Sequence, residues 1–169
     1  GPIGLLVALV ARCAGARKVV VSEAMPSRRA FAEKLGFPTV DPLSTDFTAR
    51  MAELSERGFA VSFETAGAPN CLDTCLAYTM PTGTVVSIAI TKTPAPLDTG
   101  KLFAKELTVK GVRIHSQYNF VGAINLLESG MINDELRQII NAEFPLDRAD
   151  EAFKQAMTNK DLFKIVVKI

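Results

Sequence analysis

Two stretches decide the fold: Gly1-Pro2-Ile3-Gly4-Leu5-Leu6-Val7-Ala8-Leu9-Val10-Ala11, and Lys18-Val19-Val20-Val21-Ser22-Glu23. The first opens on two glycines and runs into an almost wholly apolar segment. Gly4 to Ala14 carries only Arg12 as a charge, which predicts a helix buried all round. The second holds three β-branched residues in a row, which suits a central strand. An acid, Glu23, closes that strand.

The same alternation continues outward. Pro26 fits a first helical turn, Phe31 and Leu35 share one face, and Gly36 stops the helix. Thr39-Val40 reads as a short strand. Asp46 to Arg57 reads as a helix with Phe47, Met51 and Leu54 as its apolar stripe, closed by Gly58. Phe59 to Phe63 predicts a strand, Asn70 to Met80 a helix capped by Asn70, and Thr84 to Ile90 a strong apolar strand. Thr91 to Gly100, with Pro94 and Pro96, is the densest loop. A short helix around Lys101 to Lys105 and a strand over Leu107 to Val112 follow. Phe120, Ile124 and Leu127 mark a helix ended by Gly130, and Asp134 to Ile140 a short one. Strands and helices in strict alternation predict an α/β fold: a doubly wound, Rossmann-type parallel sheet with helices on both faces.

The last stretch differs. Asp147 to Met157 is amphipathic, with Ala149, Ala152, Phe153 and Ala156 apolar. Phe163 to Ile169 alternates in character. Alternation means a half-buried strand, packed against something other than the main sheet. The expected division is therefore residues 1–140 as a nucleotide-binding domain and 141–169 as a closing segment.

Bulk numbers narrow the function. The 169 residues suffice for one sizeable domain. Nineteen Lys and Arg against eighteen Asp and Glu give a net charge of +1, which offers no electrostatic case for nucleic acid or an anionic membrane. The apolar run Leu5 to Ala11 is short of a membrane span. Three cysteines, one left over from any pairing, fit a reducing, cytoplasmic setting. Cys13, Cys71, Cys75 and His115 are the only Cys and His residues, too few for a convincing zinc site. No serine or cysteine has a histidine partner in prospect, so no catalytic residue and no metal ligand is assigned.

One constellation does point to a ligand. In a dinucleotide fold, an acid about 20 residues beyond the glycine turn accepts hydrogen bonds from the adenosine ribose hydroxyls. Glu23 stands 19 residues after Gly4. The amides and positive dipole end of the first helix would face a pyrophosphate. A carboxylate at Glu23 also repels a ribose 2′-phosphate, which favours NAD over NADP. Arg28 and Arg29 pull the other way, since arginines here can serve that phosphate. Asp41 and Glu64 end strands, and turn roles suit them better than chemistry.

With these residues in view, the chain resembles the medium-chain, zinc-dependent alcohol and polyol dehydrogenases, in particular their sorbitol, threonine and 2,3-butanediol branches. Gly-Pro-Ile-Gly-Leu, Val-Val-Val-Ser-Glu with Arg28 five residues on, Phe63-Glu64-Thr65-Ala66-Gly67, Gly83-Thr84-Val85-Val86 and Glu106-Leu107-Thr108-Val109-Lys110-Gly111 carry the likeness. It closes with Phe144-Pro145-Leu146-Asp147 and Glu151-Ala152-Phe153.

The resemblance implies cofactor roles. Gly1 and Gly4 would form the turn, with Pro2 and Ile3 presenting amides to the pyrophosphate. Glu23 would hold the ribose and Arg28 flank the adenine. Ala66 and Gly67 would line the cleft, and Ile88, Ala89 and Ile90 would sit by the nicotinamide. Arg113 would lie in the loop over it, although Arg113-Ile114-His115 matches the family's arginine-after-aromatic pattern only loosely. The resemblance also implies zinc ligands in a catalytic domain outside this chain. Gly1 corresponds to the middle glycine of G-x-G-x-x-G, so the first glycine and the sheet's first strand would lie upstream. The full-length protein would be an NAD-dependent enzyme on a small alcohol or polyol, assembled as a homodimer or homotetramer, and the isolated chain would show no turnover. A zinc-independent quinone reductase of the same superfamily and a non-catalytic nucleotide-sensing module are the alternatives.

Overall fold

The computed structural model describes residues 1–91 and 93–169. Helices and parallel strands alternate from α1 (Pro2–Cys13), β1 (Val21–Ser22), α2 (Pro26–Lys34) and β2 (Thr39–Val40) to α3 (Phe47–Leu54), β3 (Phe59–Glu64), α4 (Cys71–Tyr78) and β4 (Thr79–Ser87). α5 (Thr99–Lys105), β5 (Thr108–Gly111), α6 (Gln117–Glu128) and α7 (Asn133–Ile139) come next. β6 (Ile140–Pro145), a 3₁₀ turn at Leu146–Arg148, α8 (Ala149–Thr158) and β7 (Lys164–Lys168) follow.

The strands form three separate parallel ladders: β1-β2, β3-β4-β5 and β6-β7. In the doubly wound order 3-2-1-4-5-6, β2-β1 stand as strands three and two, and β3-β4-β5 as four, five and six. This is the expected α/β architecture. The strand expected over Lys18 to Ser22 is shorter, with only Val21 and Ser22 in a ladder, paired to Thr39 and Val40. Its one neighbour, β2, is itself two residues long.

The core lies where α1, α2 and α7 meet. Leu5, Ala8, Leu9, Ala32, Leu35, Phe37, Ile132 and Ile139 are buried together. Full burial of each leucine or isoleucine contributes about 1.5–3 kcal/mol. The reading of the first helix as buried all round is corrected: Ile3, Leu6 and Val10 are exposed, and only Leu5, Ala8 and Leu9 are buried. α6 differs in the same way. Its stripe of Phe120, Ile124 and Leu127 is exposed, because the helix contributes only the partly buried Leu126 to the core. Phe153 of α8 is likewise exposed, and Ala152 is the buried residue there.

Helix ends follow local chemistry. Gly36 and Gly130 adopt the left-handed backbone just past α2 and α6. Gly58 does so four residues after α3 ends at Leu54, where it turns the chain into β3. Asn70 does not cap α4 through its side chain; its carbonyl accepts from the Thr74 amide instead. Asp98 and Ser116 provide side-chain caps, the latter in a capping box with Asn119.

The apolar strand starts earlier than its sequence suggests, at Thr79. β4 then bulges: Phe59 pairs with Thr79 and Val61 with Thr84. Gly83 fits this bulge because a Cβ there would lie 2.9 Å from the Ala60 carbonyl oxygen.

The C-terminal end of α4 is capped from a distance. The Lys105 ammonium donates to the carbonyls of Leu76, Ala77 and Thr79. A cation there satisfies carbonyls left over at the helix end and complements its dipole. Lys105→Met is expected to cost about 1–2 kcal/mol, read as a lower thermal midpoint, while Lys105→Arg retains most of the stability.

The alternating tail forms β7, as expected, in a ladder apart from the main sheet. Its partner β6, over Ile140–Pro145, has no counterpart among the sequence-based expectations. Phe163 stacks on Phe31 of α2 with ring centroids 4.4 Å apart, tying the closing segment to the core.

Candidate functional site

The site is built at the C-terminal ends of β1 and β3. α1 starts immediately at its glycine turn, with no side-chain cap on its first amides. Those amides are the donors that a helix N-terminus offers an anion. The backbone nitrogen of Gly1 donates to Glu23 Oε2 at 3.0 Å, and the Met25 amide donates to Oε1 at 3.0 Å. The glycine turn and the strand-ending acid, 22 positions apart, therefore meet in space.

Burial raises the Glu23 pKa, but the Met25 amide and the Arg28 guanidinium are among the groups that bring it below the ordinary value. The carboxylate is thus held as an acceptor. Arg28 turns toward the closing segment. Its Nε donates to the Lys160 carbonyl at 3.2 Å, and its guanidinium lies 5.9 Å from the Phe163 ring centroid.

A second group adjoins the first through Thr65. A Cβ on Gly4 would stand 3.1 Å from Thr65 Oγ1, so the helix start and the end of β3 pack backbone against side chain. Glu64 is buried, and its Oε1 accepts from the Ala66 and Gly67 amides, each at 2.8 Å. Its backbone carbonyl accepts from the Ile88 and Ala89 amides. Glu64 thereby joins the ends of β3 and β4 into one rigid corner, a turn role as its position implied. Gly67 takes φ +68°, and a Cβ there would lie 3.3 Å from the Ile90 carbonyl oxygen.

A cleft of about 310 Å³ opens beside this corner, lined by Ala66, Gly67, Ile90, Thr93, Pro94 and Pro96 among others. It is bounded by the proline loop expected over Thr91 to Gly100, of which Lys92 lies outside the described residues. Ile88, Ala89 and Ile90 follow the ladder of β4, which ends at Ser87, rather than ending the strand. Arg113 stands apart: it is exposed, and no hydrogen bond or ion pair of its guanidinium is found among the described residues. His115 stacks on Phe120, with ring centroids 5.8 Å apart.

The donor set does not suit zinc. Among the described residues no three His, Cys, Asp or Glu side chains converge. Cys71 and Cys75 share α4, but burial and the nearby Glu64 push the Cys75 thiol up to about 12. A thiol so disfavoured as thiolate is a poor metal ligand.

Two interactions escaped the sequence reading. Arg29 donates to the carbonyls of Glu23 and Ala24 and pairs with Asp41. Thr65 sits against the glycine turn. Only the adjacency of Arg28 and Arg29 to the strand-ending acid hinted at the first.

A doubly wound α/β fold with a glycine turn, a strand-ending acid and a cleft at the strand ends has the architecture of the Rossmann-type nucleotide-binding proteins. The zinc-binding dehydrogenase family profile matches residues 2–129, and the chain belongs to that family.

The 2-dehydro-3-deoxy-L-galactonate 5-dehydrogenase of Pseudoalteromonas atlantica is 36% identical over 168 residues, which cover 99% of this chain and 48% of that protein. The (R,R)-butanediol dehydrogenase of Bacillus subtilis is 32% identical over 170 residues, 99% of this chain and 48% of the relative. A solved structure of 2R,3R-butanediol dehydrogenase from the same organism superimposes with a TM-score of 0.90 at 31% identity, over 100% of this chain and 48% of that one. The chain therefore spans about half the length of the curated relatives it matches, corresponding to their C-terminal part.

Proposed function

We propose that this chain binds NAD as the nucleotide-binding part of a zinc-dependent dehydrogenase acting on a small alcohol or polyol. The observation that carries the reading is the meeting of the α1 glycine turn with Glu23, whose carboxylate is held charged at the end of β1. The pyrophosphate would rest on the amides of Ile3 and Gly4, since Pro2, at the start of α1, has no N–H to donate and would only set the turn; the adenosine ribose would rest on Glu23. Arg28 would flank the adenine. The nicotinamide half would extend along Ala66 and Gly67 toward Ile88, Ala89 and Ile90, where the absence of a Cβ at Gly67 leaves the backbone open. Arg113, one residue past the amide that Val112 gives to Ser87, would border that half from its loop.

When bound, NAD supplies a hydride acceptor. This chain's residues contribute position: helix amides neutralise the pyrophosphate, Glu23 orients the ribose, and the Glu64 corner fixes the far wall. Zinc would be held by the catalytic domain that the resemblance places outside this chain, and this part would orient the cofactor. The isolated chain would then show no turnover. Relatives named for butanediol and idonate support an alcohol or polyol substrate.

The remaining fit is to a larger assembly. The β1 and β3 edges, not joined to each other in any ladder, would take a strand between them from the rest of the protein. Residues 141–169 would close back on that part. The β5 edge at Thr108–Gly111 would pair with its twin in a homodimer or homotetramer. Three free thiols suit the cytoplasm, and no helix among the described residues is long and apolar enough to cross a membrane.

Calorimetric titration of the full-length product with NAD and with NADP tests the reading. NAD is expected to bind at least about tenfold more tightly than NADP, the size of one charge-assisted contact. Equal or stronger binding of NADP would contradict the NAD assignment, and binding of neither would contradict the function.

A further inference from the structure

We propose that Asp41 is a selectivity-determining residue: by pairing with Arg29 it clamps the Glu23 segment and withholds a guanidinium from the ribose 2′ position. The inference rests on the reading of Glu23 as the ribose acceptor. Arg28 and Arg29 are adjacent in the first turn of α2, yet their side chains go to different places. Arg28 reaches the Lys160 carbonyl. Arg29 bends back, and its Nη1 donates to the Glu23 carbonyl at 2.8 Å and the Ala24 carbonyl at 2.7 Å. Its Nη2 meets Asp41 Oδ2 at 2.9 Å. Both partners are largely covered, with side chains 19% and 29% exposed.

Asp41 occupies a telling position. It directly follows Val40, whose carbonyl accepts the Glu23 amide at 3.1 Å. Strand pairing therefore sets Asp41 beside the end of β1, and Arg29 bridges the two strand ends. The other Asp41 oxygen accepts the Leu43 amide at 2.9 Å, so the carboxylate cannot easily swing away. Two consequences follow for a nucleotide. Glu23 is fixed from three sides: its amide by Val40, its carbonyl by Arg29, and its carboxylate by the Met25 amide. Arg29, the second guanidinium on this turn, is committed to three acceptors. Recruiting it would leave Asp41 and two carbonyls without their donor.

Asp41→Asn isolates the effect, since the amide oxygen still accepts from Leu43 while the charge is gone. The readout is the ratio of NADP to NAD dissociation constants, measured by titration of the full-length product. Asp41→Asn is expected to shift that ratio toward NADP by about tenfold, one charge-assisted hydrogen bond's worth. Asp41→Glu, which restores a carboxylate, should return most of the native ratio. Arg29→Gln should weaken NAD without improving NADP, and Arg29→Gln/Asp41→Asn should abolish the gain. A merely structural role would weaken both nucleotides alike and leave the ratio fixed. An unchanged ratio in Asp41→Asn, or a shift that survives loss of Arg29, overturns the proposal while the NAD reading stands. A native protein that binds neither nucleotide overturns the NAD reading, and this one with it.

Discussion

Glu23→Ala is expected to weaken NAD binding by about 10- to 100-fold, the range of one to two hydrogen bonds to a charged acceptor. NADP should lose far less, because the same substitution removes a repulsion from the 2′-phosphate. Folding should survive. The side chain's partners are the Gly1 nitrogen and the Met25 amide, both near enough to the surface for water to replace it. Titrating the variant with both nucleotides checks the expectation.

The charge state of Glu23 adds a pH signature. Its pKa lies below the ordinary 4.5 although burial alone would raise it, because the Met25 amide and the nearby Arg28 guanidinium favour the ionised form. A depressed folded value stabilises the fold above the ordinary value, and that contribution is lost as pH falls through the folded one. NAD affinity should therefore stay level on descending to about pH 5 and drop only below the ordinary value. A decline centred near neutrality would assign the titration to another group.

Glu64→Leu is expected to cost about 1–3 kcal/mol, the penalty for leaving two partly buried amides without their acceptor. Glu64 itself is 4% exposed, and a leucine there would offer the part-buried Ala66 and Gly67 amides no acceptor in its place. Glu64→Gln keeps one carbonyl oxygen and should lose markedly less. Chemical denaturation of the three proteins gives the ordering. Cys75 offers an independent readout. Burial first, and Glu64 second, push its thiol up to about 12. Removing the carboxylate should lower that value and speed alkylation of the native protein. A raised thiol pKa costs stability only as pH climbs above the ordinary value of 9.0, so the denaturation series at neutral pH is unaffected by it.

What was legible in the sequence was what local chemistry governs. Pro26, Gly36 and Gly130 mark helix ends because fixed or positive φ values are properties of single residues. The turn-and-acid pair was legible because the length of a βαβ unit sets its spacing. Burial was harder. α1 and α6 are apolar on faces that this chain leaves exposed, and periodicity cannot tell which partner covers a stripe. β6 escaped because Ile140–Pro145 includes Asn, Glu and Pro, and its strand state comes from pairing with β7, more than 20 residues away. The Lys105 cap and the Arg29–Asp41 bridge depend on side chains reaching across the fold, which no window along the chain contains. Of the candidate site, the glycine turn and Glu23 could be read directly. The clamp that holds Glu23 emerged only once β1 lay beside β2.

The most direct measurement is an experimentally determined structure of the full-length protein with NAD bound. The account predicts both Glu23 carboxylate oxygens within about 3.2 Å of the adenosine ribose hydroxyls, with the pyrophosphate over the first turn of α1 and the nicotinamide beside Gly67 and Ile90. A nucleotide whose ribose lies out of hydrogen-bond reach of Glu23, or whose pyrophosphate sits away from that turn, would contradict it.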